Sequence, residues 1–525
     1  MSAAENNLYE APRSGEHVVD QRDLSRLDEE NALREEKTPR TEPTDDDVQL
    51  VAWNGPDDPD IPFNWPTSKK WVLTITALLG TLTVLINGTA ITVAAADINE
   101  EFGISDASFP NSYWPVSSWT VGGALFMMIF LPILEDVGMR LGYLVTYALF
   151  ILFLIPQAVA QNFWTLVIVR FFAGGCVSVL ANIICSIICD IWEGDRGRSV
   201  PMSMYITCYL VGSTIGPVIG GAIHQSLGWR WILWIQLIWT GIFYPIFFLL
   251  IAETRGPVLL RRRAKRIRAK TGKKAYTREE LEGTDLWAVI RVSVKRPMYM
   301  LCTEWVVFTF TLWSAFSVGT VYVFTQSVEQ VFNELYGFES YSAGYVQGAV
   351  VIGQIVGWFP VQLNSRWYFA SAARNKEFPG VPIPEARLYM SILGGFVGMT
   401  GGMFVYAWTS YPQIHWIAPT IGLGMVGFGI NVVVSAIADY VTDAYSKYAA
   451  SVVAAIAFGE NIVAAFLPLA ASSMYTTLGF QWASSLLGFI SLILAMAPVV
   501  LLIWGPEVRR RSPFMSQATY DARIE

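Results

Sequence analysis

The sequence predicts an all-α integral membrane protein with twelve transmembrane helices arranged as two six-helix halves. Three observations predict it. The 525 residues are 53% hydrophobic and only 15% charged, with a mean hydropathy of +0.41, whereas a soluble chain carries about a quarter charged residues. Twelve apolar runs of about twenty residues occur, each long enough to cross the hydrocarbon core. Lys and Arg are confined almost wholly to alternate loops, the asymmetry that orients membrane helices.

In chain order, residues 1–66 come first and hold 17 of the 43 acidic residues against six of the 36 basic ones. Prolines and charges without apolar periodicity cannot bury a core, so this segment is expected to be a disordered acidic cytoplasmic tail. No basic stretch leads into a short apolar one at the start, so no cleaved signal peptide is expected. The N-terminal half, 67–252, contains apolar runs near 71–95, 113–134, 143–161, 163–189, 201–223 and 230–251. A basic central loop follows at 253–297, and the C-terminal half, 298–506, contains runs near 298–325, 343–362, 389–408, 414–436, 448–472 and 482–504. Residues 507–525 form a second cytoplasmic tail.

With the N-terminus inside, the outer loops contain no Lys or Arg except Arg230, while fourteen basic residues lie between Arg255 and Arg296 alone. Both termini are therefore expected in the cytoplasm. The run Arg261-Arg262-Arg263-Ala264-Lys265-Arg266-Ile267-Arg268 reads first as a solvated, orientation-setting loop. Contact with anionic lipid heads or a localisation signal are the alternatives. All five cysteines (Cys176, Cys185, Cys189, Cys208, Cys302) lie in apolar spans and read as small buried thiols.

Ionisable residues inside a membrane are costly and are functional candidates. Arg170 lies in span four, Glu304 in span seven and Glu460, followed by Asn461, near the middle of span eleven. A carboxyl among apolar groups can exchange a proton near neutral pH, as a proton-coupled carrier requires. The alternative is an arginine–carboxylate pair or a side-chain-to-backbone bond that only fixes packing. Asn87, Asn182 and Asn431 also sit in spans, where helix cross-linking is their expected role. Asn87-Gly88-Thr89 matches a glycosylation acceptor but falls inside span one, so no glycosylation is expected. No phosphate-binding loop, metal-ligand spacing or nucleophile–base set occurs, so no cofactor, metal or enzymatic activity is expected.

One decapeptide is out of place in any soluble helix: Gly212-Ser213-Thr214-Ile215-Gly216-Pro217-Val218-Ile219-Gly220-Gly221. Four glycines and a proline are tolerated only where neighbouring membrane helices pack closely and re-satisfy the freed carbonyl. Its pattern, G-x-x-x-G-P-x-x-G-G, resembles the span-five antiporter motif of the major facilitator superfamily, and the whole region 65–512 resembles its twelve-span fungal drug:proton antiporters. Arg170 with Gly174 is similar to the span-four motif, whose arginine is implicated in proton coupling in that family. Pro132 to Arg140 resembles the loop motif between spans two and three. There Glu135, Gly138 and Arg140 would form a cytoplasmic gating latch, weakened by Met139 and Leu141 in place of the usual residues. Trp229-Arg230-Trp231-Ile232, Pro384-Glu385-Ala386-Arg387-Leu388, Asp439 to Tyr445 and Trp482 to Gly488 resemble fungal members in particular. Glu460 stands where many relatives carry arginine, which inverts a central charge.

The resemblance implies the major facilitator fold and alternating access between two halves. The expected activity is proton-coupled export of small amphipathic organic compounds, either xenobiotics or self-made secondary metabolites. Proton-driven uptake of a nutrient is the alternative within that class, and a non-transporting sensor or scaffold is the alternative outside it. The expected partners are a small-molecule substrate, protons and the lipid bilayer, with no nucleic acid, for a monomer in the plasma membrane or else the vacuolar membrane.

Overall fold

Peptide groups in lipid must be satisfied within their own segment, so apolar runs of this length become helices. The computed structural model describes residues 48–106, 109–283, 286–375 and 379–521. Span one is Thr67–Thr89, prolonged by a 3-10 turn at Ala90–Ala94 and a helix at Ala95–Phe102. Spans two to six are Trp114–Val137, Met139–Ala158, Phe163–Ile191, Gly194–Leu227 and Trp229–Leu250. Span seven is Trp305–Tyr336, and span eight is Gly348–Ser371, preceded by Ser340–Val346. Span nine runs from Tyr389 to Thr409 through a π-helical stretch at Leu393–Gly401.

Residues Ile417–Arg511 are almost continuously helical, yet they make three crossings. The chain turns at Ser446, whose φ is 28°, and at Gly479, whose φ and ψ of 77° and 161° no helix accommodates. The Tyr475 hydroxyl lies 2.9 Å from that of Ser484, nine residues on, which only a reversal at Gly479 allows. Spans ten, eleven and twelve are thus separate, and the described residues contain the twelve expected crossings. Large apolar side chains ring the bundle, with Leu249 76%, Ile493 71% and Ile352 65% uncovered by protein. An apolar belt of this kind on a monomer marks a lipid-facing surface.

Three expectations change. Residues 1–47 of the expected tail lie outside the described residues, but 48–66 are folded onto the central loop. Val48–Leu50 (β1) pairs in parallel with Lys274–Tyr276 (β2), Val48 opposite Lys274. Val51, Ala264, Ala275 and Ile267 close a small apolar core beneath them, and Asp58 receives a 2.7 Å hydrogen bond from Arg263 Nη1. That guanidinium, followed by the N–H groups of Asn54 and Asp60, pulls the Asp58 carboxyl down to about 2. Secondly, the apolar run that starts at 298 is broken at Glu304, whose ψ of 109° separates Leu286–Thr303 from span seven. The cysteines are free, and Cys302 is exposed instead of buried.

Candidate functional site

Pro217 has no N–H, so the carbonyl of Ser213, one turn before it, loses its helical partner. Thr89 of span one replaces that partner, its hydroxyl donating to Ser213 O at 2.7 Å. The hydroxyl reaches it because Gly216 has no side chain: a Cβ there would collide with Thr89 and stand 2.7 Å from Ala90 N. At the last residue of the motif Gly221 faces span eight's leading helix, where a Cβ would stand 2.9 Å from Tyr341 O. The decapeptide therefore binds span five to its own half and to the other half at once.

Arg170 is fully buried. Its Nε donates to Pro115 O at 2.8 Å and its Nη2 to Gly88 O at 2.6 Å, and its guanidinium lies over the Trp119 ring, 4.7 Å from the centroid. The Gly88 carbonyl stands where span one passes from α to 3-10 geometry. Arg170 thus caps that bend and is held by carbonyls, with no carboxylate partner among the described residues. Its Nη1 is buried without a hydrogen-bond partner among those residues.

Glu460 is likewise buried and unpaired by any cation among the described residues; its Oε1 accepts from the Ser314 hydroxyl of span seven. Between these two groups lies a set of phenols. Tyr113 donates to Tyr322 O at 3.1 Å, and Tyr322 is within electrostatic reach of both Arg170 and Glu460. Tyr205 and Tyr209 of span five are within reach of Glu460 as well. The tyrosines escape a sequence reading because aromatic residues are everywhere in this chain. Asn461 turns away from this cluster. Its amide donates to Ala457 O at 2.8 Å, and its Oδ1 packs against Gly123 of span two.

The halves touch along the full length of spans five and eight. At the end near the linker, Ser199 donates to Ser365 Oγ at 2.9 Å and Gln362 to Ser203 Oγ at 2.5 Å. Near the middle, Gln354 donates to Thr214 at 2.8 Å and Asn431 to Thr207 at 3.0 Å. At the far end Tyr345 donates to Gln225 Oε1 at 3.1 Å. At the centre Arg170, Glu460, Tyr113, Tyr205 and Tyr322 are buried and Tyr209 is half-buried.

The expected latch of Glu135, Gly138 and Arg140 forms differently. Arg140 does not meet Glu135; it donates to Phe248 O of span six at 3.0 Å. Glu135 faces Arg255 at 3.6 Å, and the neighbouring Asp136 takes Arg261 at 2.5 Å. Gly138, at φ 122°, leaves room for the carboxylate of Glu253, where a Cβ would stand 2.6 Å from Oε2. Glu253 Oε1 accepts the Met139 N–H at 3.0 Å, and Asp190 of span four accepts from Thr254 at 3.0 Å. The C-terminal half repeats the scheme. Arg387 bonds Asp443 at 2.7 Å and Asp439 at 3.3 Å, while Arg509 pairs with Glu385. The part of Glu253, Arg255 and Arg261 in the latch escaped the sequence reading, although acid and base two residues apart at the end of an apolar run was a usable signal.

Glu304, expected within span seven as a proton-exchanging carboxyl like Glu460, is at the linker face instead. Its Oε2 accepts from Ser512 at 2.7 Å and Tyr445 at 3.3 Å, so it anchors the C-terminal segment where the helix breaks. Arg230, the one arginine expected in the outer loops, pairs with Glu101 and donates to Ala160 O at 2.8 Å, so its charge is neutralised at the face remote from the linker.

Comparison with known proteins agrees with this geometry. The sequence profile described as Major Facilitator Superfamily matches residues 77–468. The citrinin biosynthesis cluster MFS transporter mrr1 of Monascus ruber is 33% identical over 498 residues, 94% of this chain and 97% of that protein. The efflux pump atB of Aspergillus terreus is 32% identical over 473 residues, 89% of this chain and 90% of its own length. The crystal structure of the human organic anion transporter MFSD10 superposes with a TM-score of 0.54 at 15% identity, over 83% of this chain and all of that one, a likeness of fold. A bent, glycine-opened span five binding two six-helix halves over a buried centre is thus a transporter's architecture, and this chain belongs to the major facilitator superfamily.

Proposed function

We propose that this protein is a proton-coupled exporter of small amphipathic organic compounds, working as a monomer by alternating access. In this reading it lies in the plasma membrane with the linker face and both termini in the cytoplasm, as the loop charges favour. The observation that carries the proposal is the buried centre in which Glu460 is bound by a hydroxyl and by no cation among the described residues. A carboxyl so placed can change its charge without breaking an ion pair. A proton on Glu460 removes the carboxylate charge from the tyrosine-lined centre while the halves reorient; its loss restores a carboxylate that favours a cationic or polar group of the cargo. Arg170 keeps span one bent at the centre through Gly88 O. Relatives named for biosynthetic clusters and for efflux favour a secondary metabolite as cargo and export as direction.

The test is transport in proteoliposomes under an imposed pH gradient, with citrinin and a panel of amphipathic dyes as probes. The expected result is gradient-driven movement of at least one probe. Glu460→Gln should abolish the pH dependence while exchange of probe across the membrane persists. Equal gradient-driven movement by the Gln variant would overturn the role given to Glu460, and movement independent of pH in the unaltered protein would overturn proton coupling.

A further inference from the structure

The basic residues of the linker fall into two groups with different fates. In the helix Gly256–Thr271, Arg261, Arg262, Arg263 and Arg268 are engaged by Asp136, Glu253, Asp58 and Glu280. That run, the sequence's first candidate for lipid contact, is largely neutralised by the protein itself. The helix Leu286–Thr303 is different. Its inner face is packed, with Met300 fully buried, and Tyr299 at the edge of the groove stands against Phe514 at 6.3 Å. Its outer face carries Trp287, Arg291, Val294, Lys295, Met298 and Cys302 at helical spacing around an open groove of about 860 Å³. Arg291 and Lys295 are exposed and meet no carboxylate among the described residues, and Trp287 is 79% exposed.

We propose that this groove holds an anionic phospholipid of the cytoplasmic leaflet. The order of side chains matches that molecule from head to tail. Trp287 stands at the end remote from span seven, where an indole suits the headgroup layer. Arg291 and Lys295 come next and present two cations to one phosphate and its acidic substituent. Met298 and Cys302, nearer to the span, offer an adaptable apolar bed for the start of an acyl chain. A soluble anion would use the two cations but not the apolar end, and a zwitterionic lipid would use the apolar end at the cost of its own cation beside Arg291 and Lys295. The helix also packs on span two and on the Ala449–Leu494 segment that holds span eleven and the start of span twelve, one element from each half, so a lipid held here sits at the seam that opens when the halves rock.

The experiment uses the full-length protein in nanodiscs of phosphatidylcholine doped with a trace of photoreactive phosphatidylserine or, separately, photoreactive phosphatidylcholine. Cross-linked peptides are mapped by mass spectrometry. Labelling within 287–302 is expected to favour the phosphatidylserine probe. Each cation beside an anionic surface is worth about five-fold, so Arg291→Ala with Lys295→Ala should lower that labelling about 25-fold. Arg291→Lys, which keeps charge and helix, should change it less than two-fold and exclude misfolding as the cause. Equal labelling by both probes, or labelling unchanged in the double variant, would overturn the proposal. So would full competition by soluble glycerophosphate, which would make the site one for free phosphate.

Discussion

The hydroxyl of Thr89 is predicted to matter because Pro217 exists. Thr89→Val keeps the side-chain volume and removes the donor, leaving the carbonyl of Ser213 with neither the amide that Pro217 lacks nor the hydroxyl now 2.7 Å away. An unsatisfied buried acceptor costs about 1–3 kcal/mol, while hydrogen bonds between membrane helices measure about 0.6 and at most about 1.7 kcal/mol. The expected loss is therefore about 1 kcal/mol. The decisive measurement is a double-mutant cycle with Pro217→Ala. Alanine restores an N–H one helical turn after Ser213, so Thr89→Val should cost close to nothing in that background. Equilibrium unfolding in mixed micelles, followed by tryptophan fluorescence, gives the four stabilities. If Thr89→Val costs the same with proline and with alanine at 217, the carbonyl is not what the hydroxyl serves, and the reasoning fails.

Three further predictions concern the linker face. Asp58 gains its low pKa from Arg263 and two amides on folding, so it favours the strand-to-loop clasp above the unfolded carboxylate range, about 3.9. That contribution should be lost between pH 4 and 2, and hydrogen exchange of β1 amides should accelerate over this interval in the native protein but not in Asp58→Asn. Arg387→Leu leaves Asp439 and Asp443 facing each other without their cation. A loss of about 3 kcal/mol is expected from a largely buried network, and Arg387→Leu with Asp443→Asn should recover part of it in the same unfolding assay. Glu304→Gln weakens the anchor on Ser512; trypsin should then cut at Arg509–Arg511 several-fold faster, with pH-driven transport retained if Glu304 is purely an anchor.

The crossings were legible because hydropathy and loop charge act on twenty residues at a time and average out local irregularity. Depth was not. Hydropathy counted Met298 to Glu304 into span seven, whereas the backbone breaks at Glu304 and takes that carboxylate to the linker face. Partners were the other gap. Arg170 was legible as a costly intramembrane cation, but its ligands are carbonyls of Pro115 and Gly88, and a carbonyl carries no residue identity. The latch was legible as Glu135, Gly138 and Arg140 because a contiguous motif can be read locally. Its working contacts join Asp136 to Arg261 and Met139 to Glu253, more than a hundred residues apart, where nothing short of the fold links them. The decapeptide on span five shows the converse: Gly216 and Pro217 demanded a neighbour that comes close and supplies a donor, and Thr89 does both.

The pairing of β1 with β2 alters where this polypeptide is divisible. Counted along the chain, the connection between the two halves is 253–297. Counted by attachment, the portion up to Tyr276 is stitched to the residues before span one and to spans two and four, and Arg268 extends the stitch to Glu280. The stitched portion closes at Gly283, whose φ of 67° ends the short helix there, and the next helix begins at Leu286. A protein expressed as two fragments should therefore reassemble best when cut at Gly283. A cut near residue 255, at the apparent edge of the membrane domain, would strand on the second fragment a module whose anchorage belongs to the first.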